Sequence, residues 1–233
     1  MIITIHQPDL LPWLGFFNKI KNVDKWVVLN HTLNNPRDAA FWCRRVKILI
    51  NGNPAWLSLP LQKPQDSGII GLSINKMKYS YAIPEVYTKS LSTVEMSYKK
   101  APYFNEVFPL VEKFFNSEEQ MMEKRNLSFI ISVMQKLDIN TEIIYSDQLN
   151  CKESSTFLLV EIIQKLKGNI YLCGGGASDY QKDELFIENG IELRYNNFIH
   201  PVYPQLNALE FVPGLSIIDA LMNLGFEEVK RIL

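Results

Sequence analysis

The chain has 233 residues and a mass of 26.9 kDa, with 24 Lys and Arg against 25 Asp and Glu, a formal net charge of −1 and a pI near 6.3. That balance excludes a broadly basic nucleic-acid surface, and 47% hydrophobic with 21% charged residues excludes disorder as the main state. Cys43, Cys151 and Cys173 are far apart with no CxxC spacing, so no disulfide framework is expected and a reducing cytoplasm fits.

Ile2, Ile3, Thr4 and Ile5 form a β-branched run that stops at His6, Gln7 and Pro8. Proline lacks an N–H donor and biases its predecessor away from helix, so a strand followed by a tight loop is predicted. Residues 1–7 lack a basic leader, and no apolar run reaches the roughly 18 residues of a membrane span, so a soluble, unexported protein without integral membrane contact is expected. Leu11, Leu14, Phe17 and Ile20 recur at near-helical spacing, with Asp9 as a cap and Pro12 tolerated in the first turn, which predicts a helix over residues 10–20. Trp26, Val27, Val28 and Leu29 then read as a second strand, completing a parallel crossover. Ligands in such folds collect at the carboxyl ends of strands, where His6, Gln7 and Pro8 would lie.

Residues 45–59 predict a hairpin: Val46, Ile48 and Ile50 alternate with Lys47 and Leu49, and Asn51-Gly52 suits a positive-φ turn. Residues 62–80 read as a loop with a short strand. Phe104, Val107, Phe108, Val111, Phe114 and Phe115 form one helical stripe, and Leu127, Ile130, Ile131, Met134 and Leu137 another, with Ser117 and Gln120 as a capping box between them. A strand at 141–145 precedes a helix through Leu159, Ile162, Ile163 and Leu166, closed by Gly168. The compact strand Ile170-Tyr171-Leu172-Cys173 runs into Gly174-Gly175-Gly176. A polar helix near 180–188, a strand at 192–195, an irregular segment at 200–205 and a helix at 216–224 follow. The expected fold is α/β, with a mainly parallel central sheet flanked by helices, a β-hairpin and a helical subdomain near 104–137, in a single domain over 1–233.

Several side chains carry chemistry, each with a plainer reading beside it. His6, with an ordinary pKa near working pH, takes a proton from an attacking amine or fixes the Pro8 loop. Gln7 orients a carbonyl or a nucleotide base, or bonds the turn backbone. Trp13 stacks on a base or sugar, or packs in the core. Lys19 and Arg45 grip a diphosphate or sit on a solvated surface. Gly174, Gly175 and Gly176 bring N–H groups to a phosphate or to the oxyanion of acyl transfer, without the spacing of a P-loop. Cys173 is a nucleophile or a small buried hydrophobe. Tyr203 and Gln205 reach a ligand or plug the core, Asp219 contacts substrate or pairs with Ser216 as a capping box, and Asn223 contacts substrate or serves the end of the same helix. His31 and His200 stand in no metal-binding spacing, so no metal is expected.

Taken together, Ile5-His6-Gln7-Pro8, Leu11-Pro12-Trp13-Leu14-Gly15-Phe16-Phe17, Arg45-Val46-Lys47 with Trp56-Leu57-Ser58-Leu59-Pro60, Tyr171-Leu172-Cys173-Gly174 with Gly176-Ala177 and Tyr180, Pro201 through Gln205, and Leu215 through Asp219 with Asn223 and Gly225 resemble, in order, the motifs of the WbqC-like protein family. That family belongs to bacterial O-antigen and surface-polysaccharide gene clusters. The chain departs from it at Arg44, where the family usually has Asn, and at Cys173, where it usually has Ser, so a Cys nucleophile common to the family is not implied. The resemblance adds Tyr180 to the candidate substrate contacts. It implies transfer of glycine or another small acyl group to an amino sugar, with a nucleotide-linked amino sugar as small-molecule partner and an acyl or aminoacyl thioester or carrier as donor. Two alternatives stay open. Gly15 has the placement found in the HxGH loop of nucleotidylyltransferases, without its histidines, which suits an ATP-dependent acyl-adenylate-forming ligase. A non-catalytic sugar- or nucleotide-binding protein needs no complete catalytic motif.

Overall fold

The computed structural model describes residues 1–34, 41–63, 71–179 and 181–233. β1 (Ile2–His6) leads through a loop into α1 (Leu14–Lys21) and on to β2 (Lys25–Val28). The helix starts four residues later than its apolar spacing predicts. Leu11 holds φ at 42°, in the left-handed region, so residues 7–13 fold as a loop, and Trp13, not Asp9, precedes the first turn. β3 (Leu33–Asn34) follows, and then β4 (Arg45–Ile50) and β5 (Asn53–Ser58) form the predicted hairpin. Asn51 and Gly52, at φ 51° and 77°, supply the positive-φ pair of its two-residue turn. β6 (Leu72–Ser73) returns to pair antiparallel with β3.

α2 (Glu85–Tyr98) has no counterpart in the sequence expectation; its buried stripe is Tyr87, Val94 and Tyr98, and two hydroxyl-bearing side chains weaken the apolar period. α3 (Phe104–Phe115) and α4 (Met122–Lys136) lie where their stripes predict. Ser117 and Gln120 do not form a capping box. The Ser117 hydroxyl accepts from the Glu119 N–H at 3.2 Å and the Gln120 carbonyl from the Tyr79 N–H at 2.8 Å, so both hold the connecting loop. β7 (Glu142–Tyr145), α5 (Ser155–Lys165), β8 (Ile170–Gly174), α6 (Asp183–Glu188) and β9 (Glu192–Asn196) alternate, and α7 (Ile217–Ile232) ends the chain. α7 runs past its predicted end at 224 because Gly225, at φ 77°, lets the helix kink and continue; a Cβ there would lie 2.7 Å from the Tyr103 ring.

Five strands form one wholly parallel sheet in the order β7-β2-β1-β8-β9. The chain builds outward from β1 through β2 to β7, then returns to lay β8 and β9 on the other side of β1. The order therefore reverses between β1 and β8, and the adjoining carboxyl ends of these strands leave the crevice typical of such reversals. Side chains alternate across the sheet. Ile3, Ile5, Val27, Tyr171 and Cys173 pack with α5 and Phe186 of α6, whereas Trp26 and Val28 join α1, the hairpin and the helices α2 to α4 and α7 in a larger core. Among the described residues no helix is long and apolar enough to cross a membrane.

Candidate functional site

The end of β1 brings three ionisable groups together at the reversal. His6 sits edge-on to Phe16 of α1, ring centroids 5.0 Å apart. Its Nδ1 lies 3.0 Å from the Gln7 carbonyl oxygen, so Nδ1 carries the proton and Nε2 is the acceptor atom. Burial, reinforced by the Lys19 charge, pushes its pKa down to about 3. His6 therefore stays neutral at working pH, contrary to the expectation of an ordinary imidazole.

Asp9 is buried three residues on, with Oδ2 3.7 Å from His6 Nδ1 and Oδ1 accepting from the Cys43 thiol at 3.7 Å. Desolvation pushes its pKa up to about 7, with Lys19 and Cys43 acting against the rise. Lys19 lies on the buried face of α1, and desolvation, opposed by Asp9, brings it down to about 8. Gln7 is held by Asn34, its Nε2 donating to Oδ1 at 3.3 Å, and its own Oε1 accepts from Cys43 at 3.6 Å.

Above His6 and Asp9 opens a pocket of about 370 Å³, walled by Trp13, Trp42, Arg45, Lys47 and Trp56. The hairpin register sets Lys47 opposite Trp56. The Arg45 guanidinium lies 3.8 Å and the Lys47 ammonium 5.0 Å from the Trp56 ring centroid, and Trp42 stacks on Trp56 at 5.3 Å. Trp42 and Trp56 remain 44% and 42% exposed, forming an aromatic face with cations beside it. Trp13 is 37% exposed and lies at the pocket rather than in the core. Its indole occupies the space where any side chain at position 15 would project, a Cβ there standing 2.2 Å from the ring, so Gly15 is required for packing.

On the far side of Lys19, Gly174 ends β8, and a Cβ on it would lie 4.0 Å from the ammonium; Gly175 and Gly176 are exposed. Tyr180 lies outside the described residues. Cys173 points through the sheet to the opposite face, 3.4 Å from the Arg194 carbonyl oxygen and 3.8 Å from Gln181 Nε2, and burial pushes its thiol up to about 11. That environment keeps it protonated and unreactive. Cys173→Ala is accordingly expected to leave ligand-induced thermal shifts and turnover unchanged, and a loss of turnover would restore a covalent role.

Tyr203, Gln205, Asp219 and Asn223 form a separate network outside the pocket lining. Asp219 is fully buried and accepts from Tyr98 at 3.1 Å, Tyr203 at 2.8 Å and Gln205 at 3.0 Å. Gln205 also clamps Val212, its Nε2 donating to the carbonyl at 2.9 Å and its Oε1 accepting from the N–H at 2.7 Å. Asn223 donates to the Asp219 carbonyl and accepts from the Leu206 N–H. Ser216 caps α7 by accepting from the Ile218 N–H at 3.4 Å, while Asp219 turns away to the tyrosines, so the predicted capping box is half formed.

Asp9, Trp42, Cys43, Lys47 and Trp56 were not among the sequence candidates. One local signal was available: in an alternating hairpin with an Asn-Gly turn, Arg45, Lys47 and Trp56 must share a face. Asp9 had only its ordinary reading as a helix cap. Among the described residues no group of three or more His, Cys, Asp or Glu is placed to share a metal ion.

Comparison with known proteins bears on the whole chain. The model of the WbqC-like protein family matches residues 7–231. A Mycobacterium tuberculosis protein described as uncharacterized protein Rv1507c is 24% identical over 232 residues, covering 97% of this chain and 94% of its own. No solved structure matches.

Proposed function

Since the chain belongs to the WbqC-like protein family, we propose that it is an N-acyl or aminoacyl transferase that forms an amide on a nucleotide-linked amino sugar during bacterial surface-polysaccharide synthesis. One observation carries this reading: a buried carboxylate poised near neutrality, beside a neutral imidazole, at the floor of a pocket walled by tryptophans and cations. Stacking on Trp56 and Trp42 suits the flat base, and Arg45 and Lys47 suit the diphosphate. The sugar amine then reaches Asp9 and His6.

In the transfer step the amine nitrogen attacks the carbonyl carbon of an activated acyl or aminoacyl group, such as a thioester. The new C–N bond forms, the bond to the leaving group breaks with its electron pair, and the amine proton passes to Asp9 and onward to the leaving group. Asp9 serves as base in place of the His6 expected from sequence, because a proton acceptor works best when its pKa lies near the working pH. His6 Nε2 accepts a hydrogen bond from the substrate and orients it.

The test is amide formation followed by mass spectrometry, with nucleotide-linked amino sugars as acceptors and acyl and aminoacyl thioesters as donors; no amide from any pair overturns the reading. Two outcomes sharpen it. The rate is expected to rise with pH through about 7 as Asp9 ionises. Trp56→Ala is expected to raise KM for the sugar nucleotide about tenfold with kcat nearly unchanged, the size of one lost base stack. ATP-dependent pyrophosphate release in the same assay would instead identify an acyl-adenylate-forming ligase. The strand-order reversal suits nucleotide binding and favours that as the second reading.

A further inference from the structure

Lys19 has a feature that the transfer scheme leaves unused. Its side chain is only 4% exposed, yet among the described residues its ammonium makes neither a hydrogen bond nor an ion pair. The ammonium nitrogen itself keeps some access to solvent, so an anion from outside can reach it. Asp9 attracts the ammonium from the pocket side without pairing with it.

On the other side stands the loop after β8. A Cβ on Gly175 would meet only the Asn196 carbonyl oxygen, at 3.9 Å, and one on Gly176 nothing within 4 Å, so this backbone borders open space. Among the described residues the Gly176 N–H donates to no acceptor, whereas the pairing of Gly174 with Asn196 in the parallel ladder turns the Gly175 N–H toward the Asn196 carbonyl. A free backbone donor two residues beyond Gly174, whose Cβ position lies 4.0 Å from the Lys19 ammonium, at the crevice where the strand order reverses, supplies the ingredients of an oxyanion site. Neither Lys19 nor Gly176 lines the tryptophan-walled pocket.

We propose that the Lys19 ammonium and the Gly176 N–H form a subsite for a phosphate-class oxyanion, separate from the aromatic pocket and on the β8 side of His6 and Asp9. The extension to the reaction, that the acyl donor is recognised through a phosphate, rests on the transfer reading. The subsite itself does not.

Equilibrium dialysis of the full chain against inorganic phosphate and pyrophosphate, with no sugar or acyl donor present, tests the subsite independently of amide formation. Saturable binding at one site per chain is expected, weakened about tenfold or more in Lys19→Met, as befits loss of a charge-assisted contact. In the wild type, the Gly176 amide resonance should shift on titration, which decides the matter even if Lys19→Met fails to fold. Absence of saturable binding, unchanged binding in folded Lys19→Met, or an unmoved Gly176 amide would overturn the proposal. Acetate binding as tightly as phosphate would also overturn it by making the site one for carboxylates. If phosphate binds and no amide ever forms, the transfer reading fails alone; if amide forms and phosphate does not bind, the subsite fails alone.

Discussion

Asp9→Asn is expected to lower kcat for amide formation by about 10²- to 10⁴-fold, the usual contribution of a positioned base, while making the protein relatively more heat-resistant as pH rises. The two effects share one cause. Burial holds the Asp9 carboxyl at about 7, against an ordinary 3.8, so the folded state binds more protons than the unfolded state between those values. A group raised in this way contributes stability that is complete below about 4 and is lost as pH rises through about 7. Asparagine has nothing to titrate. Between pH 5 and pH 8 the wild-type Tm should therefore fall relative to Asp9→Asn by about 5 °C, corresponding to roughly two pH units of differential protonation in a chain of this size. Paired melting curves and steady-state rates across that interval measure both. A Tm difference independent of pH would show that Asp9 is not held near neutrality, and an unchanged kcat would remove it from the chemistry.

Asp219→Ala is expected to give the largest loss of stability, about 4 kcal/mol in urea unfolding at neutral pH. Three buried donors, on Tyr98, Tyr203 and Gln205, converge on one carboxylate, and each donor left unsatisfied costs about 1–3 kcal/mol. Asp219→Asn keeps one acceptor oxygen and should cost less than half as much. The contrast separates a structural role from a binding one: folded Asp219→Asn should keep the wild-type KM for the sugar nucleotide, because the network ties α2, the segment around Tyr203 and α7 together without entering the pocket. A KM rise in Asp219→Asn without a change in stability would return Asp219, Tyr203 and Gln205 to the substrate contacts.

Much of the architecture was legible in local pattern. The β-branched run ending at Pro8, the Asn51-Gly52 turn, the phenylalanine stripe of α3 and the strand entering Gly174 each announce their element through periodicity or turn chemistry, and each lies where predicted. Local pattern failed where tertiary contacts overrode it. Residues 10–13 have helical spacing, but Leu11 adopts a left-handed conformation and Leu10 bonds the Trp42 carbonyl at 3.1 Å, so the loop persists past Asp9. α2 escaped notice because its tyrosines are amphipathic, and Tyr98 reaches Asp219, 121 residues away.

The site divides in the same way. His6, Gln7, Trp13, Lys19, Arg45 and the Gly174 loop were nameable from sequence as candidates, because strand ends and turns are local features. Their grouping depended on β1 pairing with β8 across a separation of 168 residues, which places the strand-order reversal beside His6. The protonation states of Asp9, Lys19 and His6, and the meeting of Trp13 with the hairpin's Trp42 and Trp56 around one pocket, follow from that packing. The sequence by itself determined most segments that become helix or strand, α2 and the loop through residue 13 excepted, since hydrophobic period and backbone preference act over a few residues. Only the tertiary structure decided which side chains lose water and which charges face one another, because desolvation and Coulombic interaction depend on distance in space and not on distance along the chain.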